Sequence, residues 1–255
     1  MKKLCASILG LFVLHASALA VLTDPVEAFN NSTIKPAGPR TGTGNLSFFN
    51  IEGSGNGANA SYGVMDFTLA SVALGAGETI SSVNQISLSL TESNAAFTVA
   101  GTLAFYLTAD TSTIISNTGG SPLVFTGSDG AAAFGSSLAP NYFLGNGVFS
   151  TTGAAGSGTV DNYVLDLSTA DSAAKSYLAD LLTNGGTLRL IGVATTPTTA
   201  ATFAGETNTS LAGPTVTVDY TVATVPEPGT CALLAVGGAV GVLVWRRRRT
   251  GVAQI

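Results

Sequence analysis

Residues 85–91 read Gln-Ile-Ser-Leu-Ser-Leu-Thr, and the fold class follows from them. Successive side chains of an extended strand point to opposite faces, so Ile86, Leu88 and Leu90 share one side while Ser87, Ser89 and Thr91 share the other. That is a strand with one face in a core and one face in water. The same alternation recurs outward from it. Met65, Phe67 and Leu69 oppose Asp66 and Thr68; Leu103, Phe105 and Leu107 repeat the period; Val216, Val218 and Tyr220 oppose Thr217 and Asp219. Further strand candidates lie at 122–126, 147–151, 160–167 and 187–194, and Gly, Asn and Asp clusters separate them as turns require.

A single helix interrupts the strands. Ser168 is the expected cap, Asp171 favours the positive helix end, and Ala174, Tyr177, Leu178, Leu181 and Leu182 form one apolar stripe. Asn184-Gly185-Gly186 ends it. Residues 21–60, with Pro25, Pro36, Pro39 and the glycine-rich run 53–61, read as an irregular segment with a possible edge strand at 46–53. Residues 61–224 are then expected to form the domain proper, an all-β antiparallel sandwich of jelly-roll type with one short helix.

Composition bounds the chemistry. Charged residues make up 10% of the 255-residue chain, and the net charge is −5. Six of the ten basic residues sit at the ends: Lys2, Lys3 and Arg246 to Arg249. The body between them holds only Lys35, Arg40, Lys175 and Arg189 against fourteen acids, a net −10 that disfavours nucleic acid and anionic lipid as partners. Cys5, Cys231 and His15 all fall in the terminal apolar stretches. The body therefore has no disulfide, no Cys or His zinc site, no Ser-His-Asp triad and no Cys-His dyad.

The ends form an address. In residues 1–20, two lysines precede an apolar run from Leu4 to Leu14, and Ala18-Leu19-Ala20 closes it. This is the pattern of a secretory signal peptide, with Ala18 and Ala20 as the small residues of a cut after Ala20, made by signal peptidase after passage through the Sec translocon. At the other end, 225–255, the stretch 229–245 carries no charge. At about 1.5 Å per residue it reaches across a thin bilayer as a transmembrane helix. Arg246, Arg247, Arg248 and Arg249 then stay on the cytoplasmic side and the body outside. Pro226 and Pro228 lack amide donors, which keeps the segment around Glu227 extended and out of the helix.

Pro226-Glu227-Pro228, the apolar segment and the arginine cluster, in this order at the chain's end, resemble the PEP-CTERM sorting signal of Gram-negative bacteria. The resemblance covers about thirty residues and implies that an exosortase reads the triplet and processes the tail. It also implies a host that makes exopolysaccharide, a transient hold in the inner membrane and delivery to the cell surface or extracellular matrix. The triplet performs no chemistry of its own.

No catalytic motif occurs in the body. Glycoside hydrolysis needs an Asp or Glu pair about 5–10 Å apart. Asp66, Glu78, Glu92, Asp110, Asp129, Asp161, Asp166, Asp171, Asp180 and Asp219 are available, but they read as solvated surface charge. Asp110 and Asp129 are loop acids that could serve a structural calcium ion, although no DxDxDG loop is present. Sugar stacking would fall to Tyr62, Tyr106, Tyr142, Phe143 or Tyr163, each of which reads rather as core packing or a half-exposed strand position. The expectation is a non-enzymatic protein without cofactor, sorted to the cell envelope or an exopolysaccharide biofilm matrix. A surface-displayed carbohydrate-binding module is the alternative, and a carboxylate-dependent glycan hydrolase a third.

Overall fold

The computed structural model describes residues 18–224 except 43, 45, 95–96, 117–119 and 151–156. The signal segment 1–17 and the tail 225–255, with its triplet, apolar span and arginines, lie outside the described residues. The chain divides into a large unit, Ala20–Ala73 with Ile80–Thr221, and a small one, Met1–Leu19, Leu74–Thr79 and Val222–Ile255. In the small unit, the Gly75 amide donates to Glu78 Oε2 (2.7 Å) and closes a tight turn.

The expected all-β antiparallel sandwich forms, with one α-helix among the described residues. Its strands are β1 (Ala18–Leu22), β2 (Val26–Lys35), β3 (Gly38–Pro39), β4 (Phe48–Glu52), β5 (Tyr62–Leu69), β6 (Glu78–Thr91), β7 (Gly101–Thr108), β8 (Asn141–Phe149) and β9 (Val160–Asp166). The helix α1 (Ser172–Asn184) follows, then β10 (Gly186–Ala194), β11 (Ala200–Ala204) and β12 (Thr215–Thr224). The sheet order is β8-β7-β10-β5-β2-β12-β6-β9, with β1 beside β12, β3 beside β2, and β11-β4 as a separate pair.

Strand β2 lets one sheet make two layers. Val26 and Glu27 pair with β12, whereas Ala28 to Ile34 pair with β5 across a register shift at Ala28/Asn30. Such a bulge bends and twists a strand. The two ends of the sheet thereby come face to face: Phe105 of β7, next to the end strand β8, meets Tyr163 of the other end strand, β9, at 4.8 Å between ring centres. Tyr163 lies over Gly147 of β8, where a Cβ would stand 2.1 Å from its Cδ1. Only glycine admits the ring at that distance.

The quoted heptapeptide follows the alternation except at its end, where Thr91, expected on the polar side, is buried. Ile86, Leu88 and Leu90 are fully buried, and Ser87 and Ser89 are not. A second apolar cluster lies on the opposite face of the other layer. There Tyr62, Val64, Ile191 and Val193 are covered by Leu123, Phe125, Phe134 and Leu138 from the long β7–β8 connection.

Several expectations are corrected. Segment 122–126 forms no strand: the Phe125 amide donates to Lys35 O and the Thr126 amide to Ala133 O, which ties the segment down as a cover. Residues 21–60 are not irregular throughout, since they supply the ten-residue β2 as well as β4. β2 hides because Asn31, Ser32 and Thr33 are all buried, which erases the alternation. All five residues of β11 are buried too, with the same effect. The helix cap is Asp171, whose Oδ1 accepts from the Ala173 amide (2.7 Å), and not Ser168, whose own amide donates to Asp166. Ala174, Leu178, Leu181 and Leu182 form the buried stripe, while Tyr177 is half-buried.

Candidate functional site

The pair β4-β11 has two unlike faces. Phe49, Ile51, Ala201 and Phe203 point inward and are buried; Phe49 and Phe203 pack at 5.6 Å, and Phe149 stacks edge-on to Phe203 at 5.7 Å. The alternate residues Phe48, Asn50, Glu52 and Thr202 point the other way and floor an open cleft of about 500 Å³. The pairing Asn50↔Thr202 places these two side chains directly opposite one another.

The walls come from the end of β2 and from three connections. Lys35 ends β2, Arg40 follows β3, Asn56 and Asn59 belong to the 3-10 turn Ser54–Asn59, and Asn94, Phe97 and Thr98 come from the β6–β7 connection. On either side of residues 95–96, main-chain bonds reach β11: the Ser93 amide donates to Thr202 O (2.9 Å) and the Val99 amide to Ala200 O (2.8 Å).

Polar groups of the floor orient one another. Asn50 Nδ2 donates to Glu52 Oε1 (2.8 Å) and Thr202 Oγ1 (2.9 Å), while Asn50 Oδ1 accepts from Arg40 Nη1 (3.2 Å). The Arg40 guanidinium carbon lies 3.7 Å from the centre of the Phe48 ring, a cation–π stack. Lys35 Nζ donates to Asn59 Oδ1 (3.3 Å). Burial raises the Glu52 carboxyl above its ordinary value, against the Asn50 hydrogen bond and the charges of Lys35 and Arg40. Burial lowers Arg40 from its ordinary value, with Glu52 opposing. Phe97 stands 69% exposed at the rim.

The residues singled out from the sequence fall elsewhere. Ala18 and Ala20 are exposed in β1. Tyr62 and Tyr163 are buried in the core, Tyr106 and Tyr142 are half-buried, and Phe143 is exposed beside Tyr106 at 5.4 Å. Phe48 and Phe97 were not singled out, because neither lies in an alternating run.

Nor are the acids uniformly solvated. Asp66 and Glu92 are buried, and Asp161 is half-buried beside Glu92 and Tyr163, where burial raises its carboxyl. Asp66 lies on the strand face opposite Met65 and Phe67, as alternation requires, but the β7–β8 connection covers that face. Asp110 takes hydrogen bonds from the amides and hydroxyls of Ser112 and Thr113. Burial pushes its carboxyl up, but those bonds outweigh it and hold the group below its ordinary value. Asp129 accepts from the Ser54 amide and hydroxyl. Among the described residues no three His, Cys, Asp or Glu side chains gather as a metal site. No helix among them is long and apolar enough to cross a membrane.

The PEP-CTERM protein-sorting motif is found at residues 224–249. No curated protein matches the chain. Among solved structures, the chain is similar to the K1 cleaved adhesin domain of Lys-gingipain from Porphyromonas gingivalis W83, at 11% identity over 83% of this chain and 99% of that one, with a TM-score of 0.24. A likeness at that level carries no argument about function.

Proposed function

We propose that this chain, which carries a PEP-CTERM protein-sorting motif and is thereby marked for export, exosortase processing and surface sorting, is a non-catalytic protein of the cell envelope or exopolysaccharide matrix. The observation that carries the proposal is the tail itself, at 224–249. In this account 1–20 is removed on export and 61–224, with the strands contributed by 21–60, is the delivered body. The span 229–245 holds the body at the inner membrane until exosortase acts at Pro226, Glu227 and Pro228. A non-catalytic role is supported by the cleft, whose described lining holds one carboxylate, Glu52, where hydrolysis by the two-carboxylate route needs a pair. A structural calcium ion remains a proposal for the loops.

A second role, binding of glycan at the surface, is favoured by one observation: the cleft combines amide side chains, opposite charges and an exposed aromatic edge, which are groups that satisfy hydroxyls and present a face to a sugar ring. The sorting account is tested by replacing Pro226, Glu227 and Pro228 with alanine in the native host. The protein is expected to accumulate in the inner membrane and vanish from the surface fraction, and undiminished surface delivery would refute it.

A further inference from the structure

We propose that the cleft over β4 and β11 binds a carboxylated sugar, a uronate-bearing segment of an acidic polysaccharide, with Arg40 and Lys35 taking the carboxylate and Phe97 the sugar ring; this deepens the glycan-binding reading and rests on it. The placement of charge is the first support. The body carries four basic residues against fourteen acids, and two of the four line this one cleft. The other two are committed elsewhere: Arg189 to Asp66 in the core, and Lys175 to Ser168 O beside α1. A body of net −10 repels an acidic polymer at long range, so a local pair of cations is the place where such a polymer can dock.

The second support is pre-organisation. Arg40 stacks on Phe48 and donates one nitrogen to Asn50, which leaves further N–H groups of its planar fork for an incoming carboxylate. The Asn50 side chain is fixed in turn by Glu52 and Thr202. Little rotamer freedom is lost when a ligand arrives, and that cost otherwise weakens binding. The third support is Phe97, a large apolar side chain 69% exposed at the rim of a polar cleft. The negative ring face of an aromatic attracts the polarised C–H groups of a pyranose. Glu52 tempers the site, since its carboxylate carries the same sign of charge as the ligand's and offsets part of the Lys35 and Arg40 field.

The test uses the full 255-residue chain in detergent micelles, titrated calorimetrically with a panel of oligouronates (galacturonate, glucuronate, mannuronate) and their neutral counterparts. At least one oligouronate is expected to bind about ten-fold tighter than its neutral twin, with affinity falling as salt rises. Arg40→Gln and Phe97→Ala should each weaken that binding about ten-fold, Arg40→Lys should restore part of it, and Glu52→Gln should strengthen it. Phe97 is exposed, so its variant folds irrespective of the outcome at Arg40. The proposal is overturned if no oligouronate binds, if neutral and acidic sugars bind alike, or if Phe97→Ala and Arg40→Gln bind as the parent does. Equal binding of neutral and acidic sugars would leave the glycan-binding reading standing without its charge selectivity; silence across the whole panel would remove both and leave surface sorting untouched.

Discussion

Arg189 and Asp66 stand directly opposite each other on β10 and β5, and their side chains meet through two N–H···O bonds of 2.7 and 2.8 Å. Both are almost wholly buried. Arg189 Nη1 also donates to Asp110 O and Thr113 O, so one guanidinium ties the β7–β8 connection down onto the sheet.

Removing one member leaves the other charge buried without compensation. Asp66→Ala is therefore expected to cost about 3–5 kcal/mol in urea unfolding. The double variant Asp66→Leu/Arg189→Met should recover part of that loss, though not all, because the carbonyls of Asp110 and Thr113 lose their donor. A loss below about 1 kcal/mol for Asp66→Ala would place the pair in the class of solvated ion pairs.

Asp161 gives the pH dependence. Burial raises its carboxyl in the folded state, with Glu92 and Tyr163 pulling the other way, so its native value lies above the ordinary 3.8. A raised carboxyl means that the folded state holds its proton longer than the unfolded state. Stability from this group is thus present below 3.8, falls as pH rises through the native value, and stays low above it. Asp161→Asn should therefore melt higher than the parent at pH 7, with the gap closing as pH falls towards 3.8. A gap that widens in acid would contradict the assignment.

Gly147 marks the meeting of the two layers. Alanine there would force the Tyr163 ring out of its position, an overpacking expected to cost about 1–3 kcal/mol with an unchanged urea slope. Unaltered stability would show that β8 and β9 are not held at this distance.

The absence of Cys and His from 21–225 makes a further expectation simple. Neither reductant nor a zinc chelator should shift the melting midpoint of the exported protein. A shift of several degrees with either would mean that Cys5, His15 or Cys231 remains in it.

Alternation made the sandwich legible at 86–91 and 216–220, where one face is core and the other mostly polar, and at 65–69 and 103–107, where the second face is covered as well. It failed at β11 and at residues 31–34 of β2, buried on both faces, because period-two contrast disappears when no face meets water. It also misjudged Asp66, correctly placed opposite Met65 and Phe67 on β5, because the face it shares with Tyr62 and Val64 is covered by a connection whose packing no local pattern encodes. The tail was readable because its signal is local in sequence. The cleft was not: Lys35, Arg40, Asn50, Glu52 and Phe97 are spread over four segments and meet only through the β4-β11 register and the β6–β7 connection.

The central claim is delivery through the tail, and the intact mass of protein recovered from the native host's surface tests it most directly. The account predicts a species that begins at Val21 and lacks Arg246 to Arg249, with the triplet Pro226-Glu227-Pro228 at or near its end. A species that retains the arginines and resides in the inner membrane would contradict it.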